Sequence, residues 1–213
     1  VSGPFHQDIA SRIEYTLHLA SARRVDVEKL CEEAMRFSVH AVCVNGSRVD
    51  LARSLVDETR VKVVALVGWP LGAADADAKR YETEVAADFG AHEIDYVINI
   101  GKLKDGDHGH VLREMRDVVE AADERPVKAV VETHLLTQEE KVTVCKLALD
   151  SGVKFISTAT GYHTPAASLD DVRLLVENLG SEVGIKVVGN LKNAELIREF
   201  IEAGAGRIGV MRE

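Results

Sequence analysis

The chain has 213 residues, of which 46% are hydrophobic and 29% charged, with a formal net charge of −9. That length and apolar share suit one domain with a large core. The acidic balance argues against a nucleic-acid or anionic-membrane partner, because no basic stripe exists to release counterions, and no apolar run approaches the ~18 residues of a membrane-spanning helix. Cys31, Cys43 and Cys145 show no Cys-x-x-Cys spacing and read as buried thiols in a reducing cytoplasm.

In chain order, Arg12 to Leu17 is a short strand, and Val27 to Phe37 an amphipathic helix with Val27, Leu30, Cys31, Ala34 and Met35 on one face. His40 to Val44 is an apolar strand that ends at the turn signal Asn45-Gly46-Ser47. Leu51 to Val56 is helical. Val61 to Val67 is apolar after Lys62, as in a strand covered on both faces, and it stops at Gly68-Trp69-Pro70-Leu71-Gly72. A helix over Ala76 to Phe89, a strand over Ile94 to Ile100, a loop over Gly101 to Gly109 and a helix over His110 to Ala122 follow. Val127 to Val131 is the next strand. Thr137 and Glu140 form a capping box at the start of a helix that runs to Asp150.

Val153 to Ile156 is a buried strand opening into the polar turn of Ser157, Thr158, Thr160 and Gly161, which is how an α/β protein offers small polar groups to a ligand. A helix over Leu169 to Leu179, a strand over Gly184 to Val188, a helix over Ala194 to Ala203 and a strand over Arg207 to Val210 complete the chain. Eight strands alternating with seven helices predict a single (β/α)8 barrel domain over residues 1–213, with its final helix missing or its last seam less completely closed. A doubly wound open sheet is the alternative, weakened by the lack of a Gly-x-Gly-x-x-Gly turn after the first strand.

Functional groups of a barrel gather at the C-terminal ends of its strands, and side chains two apart share a face. The strands then offer to the interior Asn45, then Asp95, Val97 and Asn99, then Lys128, Val130 and Glu132, then Phe155 and Ser157, and finally Lys186 and Val188. Lys128 and Lys186 lie within apolar runs. A buried ammonium needs a carboxylate, and Asp95 and Glu132 are the expected partners. Two readings stand side by side: an ionic network that only fills the barrel, or an amine whose pKa is lowered by a neighbouring cation for attack on a carbonyl. His134, beside Glu132 at the expected mouth, is an acid/base candidate. His108 and His110, near Asp105 and Asp107, read as a solvated turn, so no metal or other cofactor is expected.

The stretch Phe155-Ile-Ser-Thr-Ala-Thr-Gly-Tyr162 resembles the active-site strand of the deoxyribose-phosphate aldolase family, Phe-(Ile/Val)-Lys-Thr-Ser-Thr-Gly-Phe, whose lysine forms the Schiff base. Ala41-Val-Cys-Val-Asn45, Val67-Gly-Trp-Pro-Leu-Gly-Ala73, Gly90 to Gly101, Val127 to Thr133, Val183-Gly-Ile-Lys186 and Ala203 to Gly209 resemble other strands of that family in the same order. The resemblance implies a (β/α)8 barrel, with Asp95 as the proton-shuttling aspartate and Lys186 as the second lysine beside the nucleophile. The Schiff-base lysine itself is replaced by Ser157, and Lys154 is sent to the opposite face by strand alternation.

Other departures fall at the same end. The family's Asp-His-Thr-Leu-Leu-Lys-Pro reads Glu14-Tyr-Thr-Leu-His-Leu-Ala20, the usual Gly-Gly after strand 7 is Gly189-Asn190, and a serine pair after strand 8 is Val210-Met211. The expectation is a divergent lyase on a small carbonyl or sugar-derived substrate without a 5-phosphate. Asp95, Lys186 and Ser157 would be catalytic. Lys128, Glu132, Asn45, Thr160, Gly161, Gly189 and Asn190 would bind substrate. The alternatives are a catalytically silent homologue that binds a metabolite or a partner, and ordinary deoxyribose-phosphate aldolase activity. A homodimer is the expected assembly.

Overall fold

The computed structural model describes residues 9–212 apart from 163, 164, 166, 190 and 192. Strands β1 (Ile13–Leu17), β2 (Ala41–Asn45), β3 (Lys62–Val67), β4 (Glu93–Val97), β5 (Val127–Val130), β6 (Phe155–Ser157), β7 (Gly184–Gly189) and β8 (Arg207–Met211) pair in sequence order into a closed barrel. Every pairing is parallel. The seam that was expected to be incomplete is closed by β1 and β8, which are in register from Ile13 opposite Ile208 to Thr16 opposite Met211.

Helices α1 (Arg24–Phe37), α2 (Val49–Leu55), α3 (Ala76–Asp88), α4 (Ile100–Lys104), α5 (His108–Ala121), α6 (Gln138–Ser151), α7 (Leu169–Leu179) and α8 (Ala194–Glu202) cover the outside. Gly101 to Gly109 reads as loop in the sequence, whereas the structure forms α4 at its start. Asn99 turns out of the expected inward row and caps it, its side chain accepting from Lys102 N at 3.1 Å. The expected capping box of Thr137 and Glu140 is present at the head of α6.

Strand alternation divides the barrel wall cleanly. Val42, Val44, Val63, Ala65, Ile94, Tyr96, Ala129, Ile156, Val187 and Ile208 pack outward against helix side chains in one large core. Their neighbours in sequence turn inward, and Ala41, Cys43, Val64 and Leu66 form a second, smaller apolar cluster inside the barrel beneath Trp69. Strands apolar on both faces therefore exclude water from the interior. Charges on the inward rows must find partners there. Lys154 is exposed, as alternation requires.

Candidate active site

The inward rows of β1, β4, β5 and β7 bring five charged side chains together in the centre of the barrel. Lys186 donates to Glu14 Oε2 and to Asp95 Oδ2, both at 2.5 Å. Lys128 donates to Asp95 Oδ1 at 2.8 Å, lies 2.8 Å from Glu93 Oε2 and 3.5 Å from Glu14 Oε1. Glu14, Asp95, Lys128 and Lys186 are all at most 1% exposed. Lys186 has room because Gly209 faces it from β8, where any Cβ would come within 3.1 Å of its Cε and 2.8 Å of Val188. The Cys43 thiol donates to Glu14 Oε2 at 3.4 Å and lies 3.7 Å from the Lys186 ammonium. At the lower edge, His40 Nε2 meets Glu93 Oε1 at 2.8 Å, and Arg207, stacked over Phe155, comes within 3.7 Å of Glu14 Oε1.

The charges settle each other's protonation. Burial alone would push the Glu14 carboxyl up, but Lys128 and Lys186 outweigh it and hold it at about 2. Burial likewise opposes ionisation of Glu93, and its bond to His40 and the charge of Lys128 keep it well below the usual carboxylate range. For Lys128 and Lys186 burial favours the neutral amine, yet Asp95 first and Glu14 with it hold both above the ordinary lysine range. Of the two readings left open by the sequence, this direction favours the ionic network over an amine of lowered pKa. The second cation is present, but the carboxylates around the pair outnumber it. Burial raises the Cys43 thiol despite Lys186.

Of the two carboxylates expected to pair with the lysines, Asp95 does and Glu132 does not. Glu132 lies just past the end of β5 with φ +50°, a left-handed conformation that an L-residue holds only where its surroundings enforce it. Its Oε1 accepts from Thr160 N at 2.7 Å, and its Oε2 lies 3.2 Å from His134 Nδ1. Glu132 thus ties the β5 exit to the turn after β6. The partners that the sequence reading missed are Glu14 and Glu93. Glu93 was legible, since it lies two residues before Asp95 on the same face, whereas Glu14 stood out only as a departure from the family's first-strand aspartate.

Ser157 sits at the end of β6, beside Lys186 in the register and fully buried. Its hydroxyl has no hydrogen-bond partner among the described residues. The next hydroxyls along are occupied, Thr158 Oγ1 accepting from Val188 N and Thr160 Oγ1 from Tyr162 N, each at 3.1 Å. Gly161, at φ +77°, lies so close under Met211 that a Cβ would fall 2.6 Å from its sulfur. Gly189 closes β7 and is buried, while Asn190 lies outside the described residues. On the opposite rim Asn45 donates to the carbonyl of His18 at 3.2 Å.

Glu14, Cys43 and Asp95, and separately Glu14, His40 and Glu93, present groups close enough to share a cation. In the first set the Lys186 ammonium already contacts all three members. Lys128 touches both carboxylates of the second. His108 and His110 lie in the first turn of α5, where Asp107 caps the His110 amide at 3.2 Å. The centre of the barrel thus offers two buried ammoniums, each already paired with carboxylates, and the Ser157 hydroxyl, which has no partner among the described residues.

Residues 9–210 match the family described as DeoC/LacD family aldolase. A deoxyribose-phosphate aldolase of Thermococcus gammatolerans is 44% identical over 206 residues, covering 95% of this chain and 92% of that protein. One of Alkaliphilus oremlandii is 42% identical over 203 residues, covering 95% and 91%. Among solved structures, the tetrameric deoxyribose phosphate aldolase of Aeropyrum pernix superposes with a TM-score of 0.89 at 25% identity, covering 96% of this chain and 87% of that one.

Proposed function

We propose a divergent aldolase-type lyase activity, on a small carbonyl or sugar-derived compound, for this chain, which belongs to the DeoC/LacD aldolase family. What supports the proposal is Ser157: a buried hydroxyl without a partner among the described residues, beside Lys186 in the register, at the position where the resemblance of Phe155 to Tyr162 to the family's active-site strand puts its imine-forming lysine. A hydroxyl forms no imine, so the carbonyl is activated by hydrogen bonding and charge instead.

For a β-hydroxy carbonyl substrate, Ser157 donates to the carbonyl oxygen and the Lys186 ammonium faces the same oxygen. Asp95 takes the proton of the β-hydroxyl. The bond between the α and β carbons breaks, its electron pair passes into the enolate, and an aldehyde leaves. Asp95 then returns the proton to the α carbon. Lys186 serves as a cation throughout, because the carboxylates on either side keep it charged. Losing one such donor to the developing oxyanion lowers kcat by roughly 10²–10³ in comparable sites.

The direct test is proton exchange at the α carbon of small aldehydes and ketones in D2O, followed by NMR. The expected result is exchange by the native chain, its loss in Asp95→Asn, and no borohydride-trapped adduct on Lys186 or Lys128. Absence of exchange with every carbonyl tried would overturn the lyase reading.

One observation favours a second reading, a catalytically silent homologue that binds a metabolite or partner: Asp95 and Lys186 already use their bonds on each other, on Lys128 and on Glu14. Ser157→Lys separates the two. Cleavage of deoxyribose 5-phosphate by the variant, from a native chain that exchanges no carbonyl, would mean intact machinery silenced at one position.

A further inference from the structure

The indole of Trp69 packs against the small apolar cluster of Ala41, Cys43, Val64 and Leu66 on the inner wall of the barrel. Cys43, a member of that cluster, lies 3.7 Å from the Lys186 ammonium, so the indole and the charged residues border the same cluster. The Trp69 Nε1–H is buried and has no acceptor among the described residues. A buried donor without a partner costs stability unless a ligand supplies the acceptor. Around it stand two further rings. His18 lies 6.3 Å from Trp69 between ring centroids, tilted by 39°, and 5.5 Å from Tyr162 in an edge-on arrangement. Tyr162 follows directly on the turn that carries Ser157, Thr160 and Gly161 and is 41% exposed.

From this arrangement we infer that Trp69 is a substrate-binding and specificity-determining residue, giving its indole N–H to an oxygen of the ligand while the rings of Trp69, His18 and Tyr162 take a planar or apolar body in preference to a phosphate. The inference rests on the proposed carbonyl site at Ser157 and names what lies beyond the carbonyl. Ring faces carry negative quadrupole charge, so they attract flat, apolar groups and offer nothing to a dianion. One ligand can meet both orphaned donors, the Ser157 hydroxyl through its carbonyl oxygen and the Trp69 indole through a second oxygen or the same one.

Trp69 is the chain's single tryptophan, so its indole N–H gives one cross-peak in an ¹H–¹⁵N spectrum, assigned by its loss in Trp69→Phe. The probes are benzaldehyde, benzyl alcohol, glyceraldehyde and deoxyribose 5-phosphate, titrated into the native chain. Benzaldehyde is expected to move the indole peak saturably and to bind more tightly than deoxyribose 5-phosphate. His18→Leu and Tyr162→Leu are each expected to weaken it about three- to tenfold, the worth of a ring contact, with glyceraldehyde binding unchanged. Tighter binding of deoxyribose 5-phosphate, or an indole peak that no probe moves, would overturn the inference. Equal effects of benzaldehyde and benzyl alcohol would uphold the ring site and count against a carbonyl at Ser157, so the two readings fail separately.

Discussion

Replacing Lys128 by methionine tests whether the charges in the barrel act as one unit. Lys128 is fully buried and touches three carboxylates, Asp95 and Glu93 at 2.8 Å and Glu14 at 3.5 Å. Methionine keeps much of the volume but leaves Lys186 as the one ammonium in contact with Glu14 and Asp95. Removing one partner of a buried ionic group costs about 3–5 kcal/mol. A similar figure follows from protonation. Holding the Glu14 carboxyl at about 2, against 4.5, corresponds to roughly 3 kcal/mol of stability at neutral pH.

Urea denaturation of the native chain and the variant from pH 7 to pH 3 is the assay. Glu14 and Glu93 are depressed when folded, so their contribution is complete above the ordinary carboxylate range and is lost as pH falls from there towards their folded values. Without Lys128 both carboxylates lose one of the cations that hold them down, so the variant has less of this contribution to lose in acid. The stability gap is expected to be widest near neutrality and to narrow steadily on acidification. A loss below about 1 kcal/mol, or a gap that stays constant across that range, would refute the network.

A second buried pair lies outside the barrel, where Lys79 donates to Glu114 at 2.9 Å with both side chains fully buried. Burial lowers the Lys79 pKa and raises that of Glu114, outweighing the attraction between them. Lys79→Met alone is therefore expected to cost about 3–5 kcal/mol in urea denaturation, while Lys79→Met with Glu114→Gln returns to within about 1 kcal/mol of the native chain. Glu132→Ala removes the acceptor of the Thr160 amide and keeps the left-handed backbone. A loss of about 2 kcal/mol is expected, read as a fall in Tm of roughly 4–8 °C, and an unchanged Tm would refute that role. Burial raises Cys31 to about 11 and Cys145 to about 12, and Cys43 is raised as well. At pH 8 the native chain is expected to leave a thiol reagent almost unconsumed, whereas all three cysteines react after unfolding.

Much of the barrel was legible because its strands carry two independent signals, continuous apolarity and two-residue alternation. Alternation placed Asp95, Lys128, Ser157 and Lys186 inside and Lys154 outside, and the structure agrees on each. It failed where the backbone leaves the strand conformation. Asn99 and Glu132 both lie past the last paired residue of their strands. There one becomes a helix cap and the other turns left-handed, so a period of two no longer describes where either side chain points. Pairing across the barrel was less legible still. Glu14 and Lys186 are 172 positions apart in sequence, and only closure of β1 on β8, which in turn pairs with β7, brings them together. No local pattern encodes that distance. The choice between an ionic network and an amine of lowered pKa stays open in the sequence for the same reason: one cation near another is visible in the strands, but the carboxylates that outweigh it are not.

The charge count in the barrel bears on what a side chain at position 157 contributes. Glu14, Glu93 and Asp95 face Lys128 and Lys186 there, three carboxylates against two ammoniums. Arg207 and His40 approach only from the edge. A lysine at 157, beside Lys186 in the register, would make the count equal. It would also place a third cation next to Lys186, the condition that lets one amine of such a group lose its proton. With serine there, the surrounding carboxylates hold Lys128 and Lys186 above the ordinary lysine range, which favours their charged forms. On the proposed reading the cluster then offers fixed positive charge, and hydrogen bonding from Ser157 and electrostatic stabilisation by Lys186 are the chemistry it would supply.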